Sequence, residues 1–324
     1  MRGPYHDEET VTAALRRCRI ERQLEAALAR YDDGKVEIPP RSAVDQRPDG
    51  SVTHVMTARD VPERLVLTKV VDYDPTRPRR DGRAASAGVL ALLRDGEPLL
   101  VSPADRFTGI RTGLTAAFAI DRLAAAGPLR VVVLGLGLVG SETLRALTGL
   151  RDVTDVRVVG RDRARVARTA GSLSEELGVD IEVAETVRAA GEDAEVLITA
   201  TSTVTPLVDA ADLDPSIGLV AALGAGIAER RELTAAAVHS CEEVFVDTLE
   251  GAEVEAGDLV QARGEGVEIR VRSLAAATPA SASTGRRLYK SVGSPWQDLA
   301  CARAVLDELT PGWERTAVDD RSTA

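Results

Sequence analysis

The chain has 324 residues, 44% of them hydrophobic and 28% charged, with a net charge of −11. This is the composition of a globular protein long enough for two domains, and the acidic balance, with no basic block or aromatic platform, argues against nucleic acid as a partner. No apolar run approaches the roughly 20 residues of a bilayer span, the N-terminus is too polar for a signal peptide, and Cys18, Cys241 and Cys301 stand apart, as expected of reduced thiols in a cytoplasmic protein.

Residues 8–30 predict one helix, with Val11, Ala14, Leu15, Cys18, Ile20, Leu24 and Leu28 on a common stripe. Residues 31–112 read as β-rich. Strands at 52–56, 65–71, 88–93 and 98–101 are separated by the turns Pro48-Asp-Gly50, Arg80-Asp-Gly82 and Arg94-Asp-Gly96, the last closing a hairpin. An alanine-rich helix over 108–126 follows. From 129 to about 250 the pattern alternates, with strands expected at 130–134, 155–159, 180–183, 195–199, 218–223 and 243–246. Helices between several of them predict a doubly wound parallel sheet. Residues 251–283 are poorly patterned, and the small-residue stretch 275–283 reads as a linker. A last helix starts near Pro295, with Ser294 as N-cap, Pro295 at N1 and Gln297 at N3, and stops at Thr310-Pro-Gly312. His6, His54 and His239 show no metal-ligand spacing, and no metal is expected.

The strand Val131-Val-Val-Leu134 runs directly into Gly135-Leu-Gly137-Leu138-Val139-Gly140 and then into a helical segment. That order is a dinucleotide-binding fingerprint. Gly135 permits the tight turn, Gly137 lets backbone approach a pyrophosphate, and Gly140 lets helix pack close to strand. Gly135, Gly137, Leu138, Val139 and Gly140 are therefore candidate cofactor-binding residues, their amides facing the phosphates. The next strand ends at Gly160-Arg161-Asp162. A small residue followed by Arg161 leaves room for a 2′-phosphate and neutralises it, which favours NADP. Asp162 keeps NAD open. Thr199-Ala200-Thr201-Ser202 lies at the end of the fourth strand of this domain, where such sheets bind ligands, although ordinary turn chemistry explains it as well.

Of 40 basic residues only Lys35, Lys69 and Lys290 are lysines. Where a generic positive charge suffices, this chain uses arginine. A retained lysine then points to a need for a compact, tunable ammonium.

Several separated segments resemble the ornithine cyclodeaminase/μ-crystallin family. They are Pro39-Pro-Arg41, Thr68-Lys69-Val-Val, Phe107-Thr-Gly-Ile-Arg111-Thr112, the glycine fingerprint and Thr199-Ala-Thr-Ser202. After these come Gly224-Ala-Gly-Ile-Ala-Glu-Arg-Arg-Glu232-Leu233, Val244-Phe-Val-Asp247 and Tyr289-Lys-Ser-Val-Gly293 with Asp298-Leu-Ala-x-Ala302, in family order. The resemblance implies a Rossmann-type α/β sheet inserted into a discontinuous α+β domain. On that reading residues 1–115 and 284–324 form the substrate-binding and dimerisation domain, and 116–283 bind the dinucleotide. It also implies a homodimer, and places Ser291 and Gly293 near the nicotinamide.

The same resemblance implies Arg41, Lys69 and Arg111 as substrate-binding cations. This agrees with the chemistry, because a carboxylate in a partly dry cleft calls for charge-assisted donors. Lys69 is the expected catalytic residue, managing the proton near the substrate nitrogen. The implied activity is NAD(P)-dependent hydride transfer at the α-carbon of an amino acid, imino acid or ketimine. One departure matters. Cyclodeaminases of the family carry an Asp where this chain has Gly226, and the ketimine-reductase branch lacks it too. Its loss argues for net redox chemistry. The alternatives are an ornithine- or lysine-type cyclodeaminase, oxidative cleavage of an amino-acid conjugate in secondary metabolism, and a non-catalytic nucleotide-binding protein.

Overall fold

The computed structural model describes residues 3–44, 51–74, 76–81, 83, 85–224, 226–278 and 285–313. The turn at 48–50, Gly82, Ala225 and most of the expected linker at 275–283 lie outside them. The chain divides into two compact units. One comprises residues up to Arg111 together with those from Pro295 onward; the other runs from Thr112 to Ser294.

The first unit begins with two helices where the sequence predicts one: α1 (Glu8–Arg17) and α2 (Glu21–Asp32). Asp7 caps α1 by accepting from the Thr10 amide at 2.8 Å. The break falls at Cys18, whose backbone turns extended and whose thiol reaches the Ala304 carbonyl at 3.2 Å. Breaking there lets the stripe of Val11 and Leu15 and that of Leu24 and Leu28 both reach the core.

Next come β1 (Val36–Glu37), β2 (Ser42–Val44), β3 (Val52–Asp60), β4 (Leu65–Tyr73), α3 (Arg77–Arg80), β5 (Ser86–Arg94) and β6 (Glu97–Pro103). They form an antiparallel sheet of order β1-β3-β4-β5-β6, with β2 also paired to β3. The expected Asp-Gly hairpin joins β5 to β6. Asp95 and Gly96 both take positive φ, 53° and 88°, as a tight turn matched to strand twist requires. Along β3 and β4 the residues Met56, Ala58, Leu67 and Val71 are buried, and Lys69 lies among them directly opposite Met56. α4 (Asp105–Leu123) carries the chain from the first unit into the second.

The second unit is a Rossmann-type doubly wound sheet. Its elements are β7 (Leu129–Leu134), α5 (Leu138–Leu150), β8 (Val153–Val159), α6 (Arg163–Leu177), β9 (Ile181–Val183), α7 (Val187–Gly191), β10 (Val196–Thr199), β11 (Leu219–Ala222), α8 (Ala235–His239), β12 (Glu243–Val246), α9 (Leu249–Val254), α10 (Gly257–Gly264), β13 (Val271–Ser273) and β14 (Arg287–Lys290). Eight strands pair in the order β13-β12-β14-β11-β10-β7-β8-β9. Every pairing is parallel. The order reverses between β7 and β10, the switch point where such sheets bind ligands. The unpatterned stretch after 250 holds α9, α10 and β13. β14 is hydrogen bonded between β11 and β12, so the chain leaves this unit at Ser294 rather than at 283.

The chain then returns to the first unit as α11 (Pro295–Leu309), which packs against α1, α2, β3 and β4. Among the described residues, no helix is long and apolar enough to cross a membrane.

Candidate functional site

In the second unit the three glycines of the fingerprint turn stand in different steric surroundings. Gly135 has φ +100°, and a Cβ there would lie 2.7 Å from the Ala200 carbonyl oxygen. At Gly140 a Cβ would fall 2.3 Å from the Gly135 oxygen. Both are glycines because backbone passes too close for anything else. Gly137 differs. It caps α5, and a Cβ built on it meets nothing within 4 Å. Helix geometry leaves the first-turn amides of Leu138, Val139 and Gly140 without intrahelical acceptors. An open face beside unclaimed amides and a positive dipole end fits a dinucleotide pyrophosphate.

At the tip of β8, a Cβ on Gly160 would lie 2.7 Å from the Val166 side chain, so packing against α6 accounts for the small residue. Arg161 is exposed, with no partner among the described residues. Asp162 is occupied: it caps α6, accepting from the Arg165 amide at 3.0 Å.

The ends of β10 and β11 are tied by a residue the sequence reading quoted only inside a motif. Glu232 is fully buried and accepts four hydrogen bonds. They come from the Thr199 hydroxyl (2.7 Å), the Thr201 amide and hydroxyl (2.7 Å each) and the Gly224 amide (2.8 Å). The hydroxyl protons of Thr199 and Thr201 are thus committed inward. The amides are engaged as well: that of Ala200 donates to the Leu134 carbonyl at 2.9 Å and that of Thr201 to Glu232. Asp258 supports the arrangement, accepting from the Glu232 and Leu233 amides at 2.6 and 2.8 Å and pairing with the buried Lys290 at 2.9 Å. Burial pushes the Glu232 carboxyl above its ordinary range. Next along the sheet, Asp247 fixes the segment after β14. It accepts from the Ser291 hydroxyl and the Gly293 amide, each at 2.8 Å. A Cβ on Gly226 would meet only the Val292 carbonyl oxygen, at 3.4 Å, so backbone crowding does not demand glycine there. Glu229 is exposed.

In the first unit, Lys69 and Arg111 come together on one carboxylate that the sequence reading did not single out. The Lys69 Nζ lies 2.7 Å from Asp298 Oδ2, and the Arg111 Nε lies 2.6 Å from Asp298 Oδ1. Arg111 Nη1 also donates to Gln297 Oε1 at 3.0 Å. Lys69, Arg111, Gln297 and Asp298 are all buried. Burial lowers the Lys69 ammonium to about 8, Arg111 and Arg41 pushing the same way and Asp298 pulling back. Arg41 is half-buried just before β2, and its charge reaches both Lys69 and His54. His54 is pushed down to about 4 by burial first, then by Arg41 and Lys69. A signal for Asp298 existed in the sequence: an acid in the first turn of a helix whose neighbours Trp296, Leu299, Ala300 and Cys301 are all core residues.

The sequence pattern of the ornithine cyclodeaminase/mu-crystallin family matches residues 6–312. The chain belongs to that family. It is 26% identical over 293 residues to the ketimine reductase mu-crystallin of Mus musculus, covering 89% of this chain and 91% of that one. It is 29% identical over 313 residues to a Delta(1)-pyrroline-2-carboxylate reductase 2 of Burkholderia ambifaria, covering 95% and 96%. Among solved structures, the Delta(1)-pyrroline-2-carboxylate reductase of Thermococcus litoralis, in complex with NADH and L-proline, superposes with a TM-score of 0.84. It has 22% identity over 94% of this chain and 96% of that one, and so shares its fold.

Proposed function

We propose that this protein is an NAD(P)H-dependent oxidoreductase that reduces the C=N bond of an imino acid or ketimine, or oxidises the corresponding amino acid. The observation that carries this reading is the buried triad of Lys69, Arg111 and Asp298. It sets two cations against one carboxylate in a dry environment, and Arg41 adds a third cation nearby. Such a surplus of positive charge welcomes an anion, and a substrate carboxylate supplies one. Arg41 and Arg111 would hold that carboxylate; Nη2 of Arg111 has no partner among the described residues. Lys69 would donate the proton that the imine nitrogen requires.

The second unit would bind the cofactor through Gly135, Gly137, Leu138, Val139, Gly140, Thr199, Ala200, Thr201 and Ser291. When bound, the nicotinamide supplies or accepts the hydride. Arg161, exposed at the tip of β8 with Asp162 engaged as a helix cap, favours NADP over NAD. This chain has Gly226 where the family's cyclodeaminases carry an Asp, which supports net redox turnover over a cyclodeaminase cycle. A homodimer fits the exposed face of the antiparallel sheet, where Val55, Val66, Val70 and Val89 sit half-buried or exposed.

The test is nicotinamide absorbance with purified protein and a panel of five- and six-membered cyclic imino acids, acyclic ketimines, 2-oxo acids with amines, and amino acids. Oxidation of NADPH by at least one carboxylate-bearing imine is expected. Silence across the panel with both NADPH and NADH overturns the reading.

A further inference from the structure

We propose that Asp298 is a positioning residue of this reaction: its single carboxylate holds Lys69 Nζ and the Arg111 guanidinium side by side, so that Lys69 meets the substrate nitrogen as a protonated donor. The inference rests on the imine-reductase reading above and gives Asp298 a role that the reading leaves open.

An ammonium placed alone inside a protein sheds its proton, because burial penalises the charged form. Lys69 is 1% exposed and sits on a strand between apolar neighbours. The charged and titratable groups around it come from four segments. Arg111 on α4, Arg41 before β2 and His54 on β3 are cations or potential cations. The α11 helix supplies Asp298, and Cys301, whose thiol burial holds well above its ordinary range and therefore neutral. Asp298 is thus the one anion among these groups. It stands in the first turn of a 15-residue helix, where the helix dipole favours a carboxylate, and it is fully buried, so its negative charge is little screened by water. Each oxygen meets a different cation, at 2.7 and 2.6 Å. This sharing fixes the separation of the proton donor from the carboxylate binder. With a reduced nicotinamide bound to supply hydride to the imine carbon, the C=N π pair would move to nitrogen and Lys69 would give that nitrogen its proton. Neutral Lys69 is then reprotonated from solvent.

The three-lysine composition gives a direct readout. With lysine labelled at the side-chain nitrogen, the full-length protein has three ammonium signals, from Lys35, Lys69 and Lys290, and Lys69→Arg assigns the one of interest. Asp298→Asn should move the Lys69 titration midpoint down by about 1–3 pH units from about 8. The high-pH limb of the kcat profile for imine reduction should move down with it. Asp298→Glu, which keeps the charge, should leave the midpoint near that of the wild type while lowering kcat. If the Asn variant does not fold, Arg111→Gln replaces it: the carboxylate then serves Lys69 alone, and the midpoint must rise. A midpoint that ignores Asp298→Asn, or an activity limb that does not follow it, overturns the proposal. The midpoint needs no substrate, so a wild type inactive on every imine sinks the functional reading and leaves the Asp298–Lys69 coupling measurable.

Discussion

Two of the three lysines are fully buried, and each faces an aspartate, yet their surroundings are opposite. Lys290 in the second unit pairs with Asp258 at 2.9 Å, with Glu232 close enough for its charge to be felt, so the cluster holds two carboxylates and one cation. The spare acceptors there are filled by backbone amides and threonine hydroxyls. Lys69 in the first unit pairs with Asp298 at 2.7 Å, but Arg111 shares that carboxylate and Arg41 adds its field. The first arrangement is closed: its anions consume protein donors and tie strand ends together. In the second, two buried cations share one carboxylate. Burial alone therefore does not distinguish the two lysines; the sign of the local surplus does, and it is the ground on which we propose the reactive role for Lys69.

The largest expected contrast comes from removing each ammonium. Lys69→Met should lower kcat by about 10²–10⁴-fold, the range for loss of a general acid. Its fold should persist, because Arg111 still neutralises Asp298. Lys290→Met should do the reverse. It strands Asp258 in the core, and breaking a buried pair costs about 3–5 kcal/mol, so the urea midpoint should drop sharply. Steady-state kinetics and urea melts on both variants check the pair. If Lys290→Met left stability unchanged while Lys69→Met unfolded the chain, the comparison would be inverted.

The sequence showed one cluster more clearly than the other for a physical reason. The glycine turn is readable because steric demands act locally, within residues 135–140. Of the parallel strands before residue 250, β7, β10, β11 and β12 are readable because each holds a run of three or more apolar residues. β14 escaped notice because Arg287-Leu-Tyr-Lys290 is only four residues long and carries a charge at each end, although all four residues are buried. Its charges are neutralised by Glu243 and Asp258, partners that only the fold supplies. Asp298 and Glu232 were missed in the same way. A carboxylate carries no mark of its own that separates a buried one from one in solvent, and at Asp298 the one sign was its apolar company on the helix, Trp296, Leu299, Ala300 and Cys301. The single helix expected over 8–30 failed at Cys18 because the periodic stripe registers apolar spacing and not the tertiary contact that bends the chain there.

A smaller effect is expected outside both clusters, where Arg161 stands exposed at the tip of β8. Arg161→Ala should raise the KM for NADPH by about tenfold, the loss of one charge-assisted phosphate contact of roughly 1.5 kcal/mol, and leave the KM for NADH nearly unchanged. Equal changes for both coenzymes would assign Arg161 to generic attraction and remove the argument for NADP.

The smallest effect probes how far the cationic field of the first unit extends. His54 lies on β3, on the same sheet face as Met56 and Lys69, and its Nδ1 is buried without a hydrogen-bond partner among the described residues. Its pKa is lowered from 6.5 to about 4 by burial and by the charges of Arg41 and Lys69. The unfolded chain therefore binds a proton at His54 between about 6.5 and 4 while the folded chain does not. Folding stability tied to this group is present in full above about 6.5 and is lost as pH falls toward 4. Because His54 is only half-buried, solvent screening will reduce the effect. Urea midpoints at pH 7 and pH 5 should fall further for the wild type than for His54→Asn, whose side chain does not titrate. The difference should narrow in the Lys69→Met background, where one of the two opposing cations is gone. An identical fall in all three proteins would show that the surplus positive charge does not reach β3, and would confine it to Lys69, Arg111 and Asp298.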